Sequence, residues 1–93
     1  MALVFIPSLM RTLTGGKDRV EVPGHTLRQV VENLEAAYPG MKELLLQDNR
    51  IRPGLQLAVN GVVTAVGLME QVPEGAEVQI LPAIGGGSNF VTS

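Results

Sequence analysis

Thr26-Leu27-Arg28-Gln29-Val30-Val31-Glu32-Asn33-Leu34-Glu35-Ala36-Ala37-Tyr38-Pro39-Gly40 is the stretch that decides the fold. Leu27, Val30, Val31, Leu34 and Tyr38 recur at helical spacing and form one apolar stripe. Arg28, Glu32 and Glu35 fall off that stripe and read as a solvated face. Thr26 opens the helix as a capping box: its hydroxyl accepts from the Gln29 amide while the Gln29 side chain reaches back. Pro39-Gly40 stops the helix. A single amphipathic helix covers only one face of a sheet. The expected architecture is therefore an α+β domain of two layers.

The flanking sequence supplies the sheet. Leu3 to Ile6 is a continuous apolar run that suits a central strand, and Pro7 ends it. Arg19-Val20-Glu21-Val22 alternates with period two, so a hairpin with a long loop is expected across Thr14-Gly15-Gly16. Met41 to Gln47 reads as a short second helix. Asp48-Asn49-Arg50 and Pro53-Gly54 surround a loop. Leu55 to Val59 is a strand, Asn60-Gly61 is a type I′ hairpin signal, and Val62-Val63-Thr64 returns. After Pro73-Glu74-Gly75, the last strand runs from Ala76 to Leu81. The order is β-β-α-β-β-β, with the first and last strands apolar enough for the middle of the sheet.

Composition narrows the chemistry. The chain has 93 residues, no cysteine and a net charge of −2. One domain is expected, without disulfides or thiolate chemistry. The charge balance argues against nucleic acid, because Lys17 and Arg19 are mixed with Asp18 and Glu21. Ala2 to Ile6 is too short for a membrane span and lacks a basic lead-in, so a cytoplasmic protein is expected. His25 is the only histidine and reads as an exposed neighbour of the helix cap, with no metal site expected. Gly15-Gly16-Lys17 fails as a phosphate loop because Asp18 stands where Ser or Thr is required. Ser8 and Ser88 have no identifiable base, and Glu32 and Glu35 do not read as an acid/base pair. No active site of side chains emerges, so the chain is not expected to be an enzyme and needs no bound cofactor.

The end of the chain is the remaining candidate. The last strand leads into Leu81-Pro82-Ala83-Ile84, then Gly85-Gly86-Gly87, then Ser88-Asn89-Phe90-Val91-Thr92-Ser93. Glycine packs nothing and loses the most backbone entropy on ordering. The division expected is a domain over residues 1–84 and a flexible glycine arm with a removable tail over residues 85–93. Val78 and Ile80 share one face of the strand, so Leu81 should face outward at the root of the arm. Leu81, Pro82 and Ile84 are the expected partner-docking residues.

Ile80-Leu81-Pro82-Ala83-Ile84-Gly85-Gly86-Gly87 resembles the C-terminus of the ubiquitin-like sulfur carriers of the ThiS/MoaD family. Further likenesses are Ile6-Pro7, Thr14-Gly15-Gly16, Thr26-Leu27, Leu34, Tyr38-Pro39, Val59-Asn60-Gly61 and Pro73-Glu74-Gly75-Ala76-Glu77-Val78. Two of them, Ile6-Pro7 and Thr14-Gly15-Gly16, look closest to the carriers of thiocarboxylate-dependent cysteine synthesis. The resemblance implies a β-grasp fold: a mixed five-stranded sheet on one main helix, with the first and last strands parallel at its centre. It also implies that an E1-like enzyme adenylates the terminal glycine with ATP. A sulfur donor then makes the thiocarboxylate, and an acceptor enzyme takes the sulfur. Counted from Pro82, the family diglycine falls on Gly86-Gly87, making Gly87 the residue activated. The six residues after Gly87 depart from the family pattern. Their removal by a JAMM-type metallopeptidase, at the bond between Gly87 and Ser88, is what the resemblance implies. Two alternatives stay open: the small subunit of molybdopterin synthase, and a non-catalytic ubiquitin-like module with a blocked end.

Overall fold

The computed structural model describes residues 1–82, and the readings placed on Ile84, Gly85, Gly86, Gly87 and Ser88 lie outside the described residues. The main sheet has five strands: β1 (Ala2–Phe5), β2 (Arg19–Val22), β5 (Leu55–Val59), β6 (Val62–Val63) and β7 (Glu77–Pro82). A small separate hairpin supplies β3 (Leu46–Gln47) and β4 (Arg50–Ile51). Across the main sheet the order is β2-β1-β7-β5-β6. β1 and β7 run parallel side by side, and every other neighbouring pair is antiparallel. The expected central pairing of the first and last strands is thus present. Among the described residues no helix is long and apolar enough to cross a membrane.

Helix α1 (Leu27–Ala37) forms as its stripe predicts, with Leu27, Val30, Val31 and Leu34 buried. Thr26 Oγ1 accepts from the Gln29 amide at 3.2 Å. The return bond differs by one residue: Gln29 Oε1 accepts from the His25 amide at 2.7 Å. His25 itself is exposed. The stripe packs on Val4, Leu57, Val78 and Ile80 of the sheet. Only about 10 Å³ of void remains at the centre of this layer, so the core is tightly filled.

Three expectations are corrected. The long loop after β1 is a 3-10 helix over Ser8–Thr14. It closes on buried Thr14, whose hydroxyl lies 2.8 Å from the Lys17 carbonyl oxygen. The second helix, α2 (Met41–Leu45), ends before Leu46, because Leu46 and Gln47 pair with Ile51 and Arg50. Asp48 and Asn49 make that turn at φ 54° and 65°, a left-handed conformation that these two residue types tolerate better than most. Glu35 is only partly exposed and does more than face solvent. Its Oε1 accepts from the Lys42 amide at 2.9 Å and the Gly40 amide at 3.1 Å, so it caps α2 from one helix away. Glu32 does lie at the surface, where it pairs with the Lys42 ammonium at 2.8 Å.

Gly24 joins β2 to α1 at φ 153°. A Cβ there would meet the Val30 backbone nitrogen at 2.9 Å, so the chain passes too close to the helix for any other residue. Asn60-Gly61 makes the expected hairpin, with φ 51° and 85° as a type I′ turn requires.

Candidate functional site

The site is built on the final three residues of β7. Val78 and Ile80 point into the core and are 2% and 6% exposed. Leu81 follows at the opposite parity and is 38% exposed, an outward apolar side chain as strand alternation predicts. Pro82 is also exposed. Both residues remain in register with β5: Leu81 stands opposite Gln56, and Pro82 opposite Leu55. The strand is therefore held by the sheet up to the last described residue.

The other edge of β7 is different. Pairing with β1 stops at Phe5 opposite Gln79. A groove of about 440 Å³ runs along this side of β7 from Glu77 and Gln79 to Ile80 and Leu81, walled on the other side by Phe5, Ile6, Pro7, Arg11 and Asp18. Arg11 is fixed there by its Nε, which donates to the Ile6 carbonyl at 2.9 Å. The Arg19 guanidinium lies 5.4 Å from the Phe5 ring centroid, and its Nε is 3.6 Å from an Asp18 carboxylate oxygen. The groove thus carries an apolar wall and a mixed charged rim. Sequence reading marked Leu81, Pro82 and Ile6-Pro7 but missed Phe5, Arg11 and Asp18. Arg11 reaches the strand end only because residues 8–14 coil into a 3-10 helix, which no periodic signal announces.

Among the described residues no catalytic constellation competes with this site. Among the described residues, no group of three His, Cys, Asp or Glu side chains could hold a metal ion. The Glu74 carboxyl is held below the usual carboxylate range by a hydrogen bond from the amino-terminal ammonium. That group lies at the far end of the sheet from Pro82. A depression of about 620 Å³ lies between Glu35, Lys42, Glu43 and the Asp48-Asn49 turn. Its central carboxylate, Glu35, is already engaged in capping α2.

Comparison with known proteins agrees with this arrangement. The model of the ThiS family matches residues 4–87. The sulfur carrier protein CysO of Mycobacterium tuberculosis (strain ATCC 25618 / H37Rv) is 36% identical over 89 residues, covering 90% of this chain and 96% of that protein. Among solved structures, one from the Amycolatopsis orientalis BexX/CysO complex superposes with a TM-score of 0.86 at 31% identity, covering 94% of this chain and all of the other. The crystal structure of M. tuberculosis CysO gives 0.84 at 32% identity, over 90% of this chain and all of that one. With a family match running from Val4 to Gly87 and this extent of identity, the chain belongs to the ThiS family and has its β-grasp fold.

Proposed function

We propose that this protein is a sulfur carrier for cysteine biosynthesis, acting in the cytoplasm through the α-carboxylate of Gly87. The observation that carries the reading is where the family match stops: it ends on Gly87, leaving Ser88 as the first residue beyond it. A JAMM-type peptidase would cut that bond. The freed carboxylate attacks the α-phosphate of ATP on an E1-like enzyme, and pyrophosphate leaves. A sulfur donor then attacks the acyl-adenylate carbonyl, AMP leaves, and a thiocarboxylate remains for an acceptor enzyme. The body contributes no reacting group. Its part is to present the end of β7 from a rigid sheet. Glycine at positions 86 and 87 lets the carboxylate enter a narrow channel, which a Cβ would obstruct. CysO relatives are named as sulfur carriers, and one was crystallised with a protein partner, which supports partner enzymes in general.

Intact mass of the protein from its native cells tests the reading. Loss of residues 88–93, with a sulfur-for-oxygen increase on part of the population, is expected. A full-length mass throughout would leave no glycine carboxylate to activate and would refute it.

Docking makes a separate prediction. An exposed leucine at the root of the reacting segment suits burial by a partner. Leu81→Asp should weaken binding to the E1-like enzyme by roughly 10- to 100-fold, the equivalent of one well-buried apolar side chain. Thermal unfolding should change by less than about 1 kcal/mol, since only strand propensity is altered at an exposed position. A large loss of stability would instead make Leu81 part of the core.

A further inference from the structure

We propose that Pro7 is a positioning residue for the activation step: it withholds one N–H, ends the β1–β7 ladder at Gln79, and leaves the Ile80 carbonyl for a hydrogen-bond donor of the activating enzyme. The inference rests on the sulfur-carrier reading. Its geometry comes from the sheet alone. In a parallel ladder, a residue donates to the partner before its opposite number and accepts from the one after. The Leu3 amide donates to the Ala76 carbonyl at 2.9 Å, which sets the phase. With Leu3 opposite Glu77 and Phe5 opposite Gln79, the next donation falls from residue 7 to Ile80. Residue 7 is proline and has no N–H. The return bond would come from residue 82 to residue 7, and residue 82 is also proline. The Pro7 carbonyl instead accepts from the Met10 amide at 2.9 Å.

Two prolines far apart in sequence thus remove two successive rungs at one level of the sheet. Proline usually blunts the outer edge of a sheet. Here the break lies between neighbouring interior strands, where each missing rung forfeits a bond the fold could have made. The ladder to β5 does not use the Ile80 carbonyl either: the Asn60 amide donates to the Glu77 carbonyl at 2.7 Å, so the bonded pairs of that ladder fall on Glu77, Gln79 and Leu81, and Ile80 stands opposite Leu57 without a bond. Ile80 lines the groove shared with Ile6, Pro7, Arg11 and Leu81. A partner that covers Leu81 also removes water from this groove. An acceptor stripped of water without a new donor is unfavourable, so the partner must supply one. β5 covers the opposite edge, which leaves this side for approach.

Three chains ending at Gly87 test the idea: the natural one, Pro7→Ala, and a semisynthetic chain with lactic acid at position 7. Lactic acid has the shape of alanine but an ester oxygen in place of the N–H. Amide exchange at position 7 and the KM and kcat for pyrophosphate release are measured with the E1-like enzyme. In Pro7→Ala the new amide should exchange at least several-fold more slowly than an unstructured amide, because it closes on the Ile80 carbonyl. KM for the carrier should rise roughly two- to tenfold with kcat unchanged, the range of one net hydrogen bond. The lactic acid chain should retain the natural KM. An unprotected amide in Pro7→Ala would overturn the ladder geometry. A protected amide with unchanged KM would overturn the role of the carbonyl. A lactic acid chain as poor as Pro7→Ala would assign the effect to the proline ring. Failure of the natural chain to release pyrophosphate refutes the sulfur-carrier reading, and the exchange result still decides the geometry.

Discussion

A chain ending at Gly87 is expected to be adenylated efficiently by its E1-like enzyme, whereas the full-length chain and one ending at Gly86 are expected to be slower by on the order of 10²-fold or more. The reason is reach. The sheet holds the chain as far as Pro82, opposite Leu55. From there, the five residues to Gly87 span at most roughly 17 Å when extended. Ending at Gly86 shortens this by up to roughly 3.5 Å, more than the tolerance for a carboxylate that must approach an α-phosphate to about 3–3.5 Å. The full-length chain fails for a different reason. Its Gly87 carbonyl is an amide and offers no oxygen anion to attack phosphorus. Pyrophosphate release, followed by the thiocarboxylate mass, separates the three. Equal activation of the full-length chain with its tail attached would show that maturation is not required.

Leu57→Ala is expected to be the most damaging simple truncation near the site, lowering stability by about 2–5 kcal/mol. Leu57 is 2% exposed and stands opposite Ile80 in the β5–β7 register. It packs in the layer with Val4, Leu27, Leu34 and Val78, where almost no void is available to absorb a rearrangement. The substitution loses both the transfer energy of the side chain and the contacts around the cavity it leaves. For a domain of this size, the midpoint of thermal unfolding should fall by roughly 10–30 °C. Circular dichroism melts would check this. A fall of only a few degrees would mean that α1 settles onto the sheet and closes the cavity. Leu57→Ala and Leu81→Asp make a useful pair: the first should affect folding and the second binding, although they lie on adjacent strands.

Local sequence determined the elements whose signals span only a few residues. The stripe Leu27, Val30, Val31 and Leu34 and the Thr26 cap specify α1 because its contacts repeat every three or four residues. Asn60-Gly61 specifies its hairpin because two adjacent positive φ angles favour those residues. The outward direction of Leu81 follows from strand alternation once Ile80 is placed inside. The family likeness of the last strand and glycines was legible for the same reason, since it is a contiguous run. Tertiary structure decided what depends on residues far apart in the chain. Glu35 looked like one more surface carboxylate until α2 folded back to bring the Gly40 and Lys42 amides to it. The second helix was read too long because the Asp48-Asn49 turn contains no glycine to announce a hairpin. Arg11 and Asp18 join the groove only through the 3-10 helix and the β1–β2 pairing. Pro7 and Pro82 are each legible as strand ends, but that they meet at one level follows from the phase of the β1–β7 ladder. That phase is set by long-range hydrogen bonds, which no window of neighbouring residues contains.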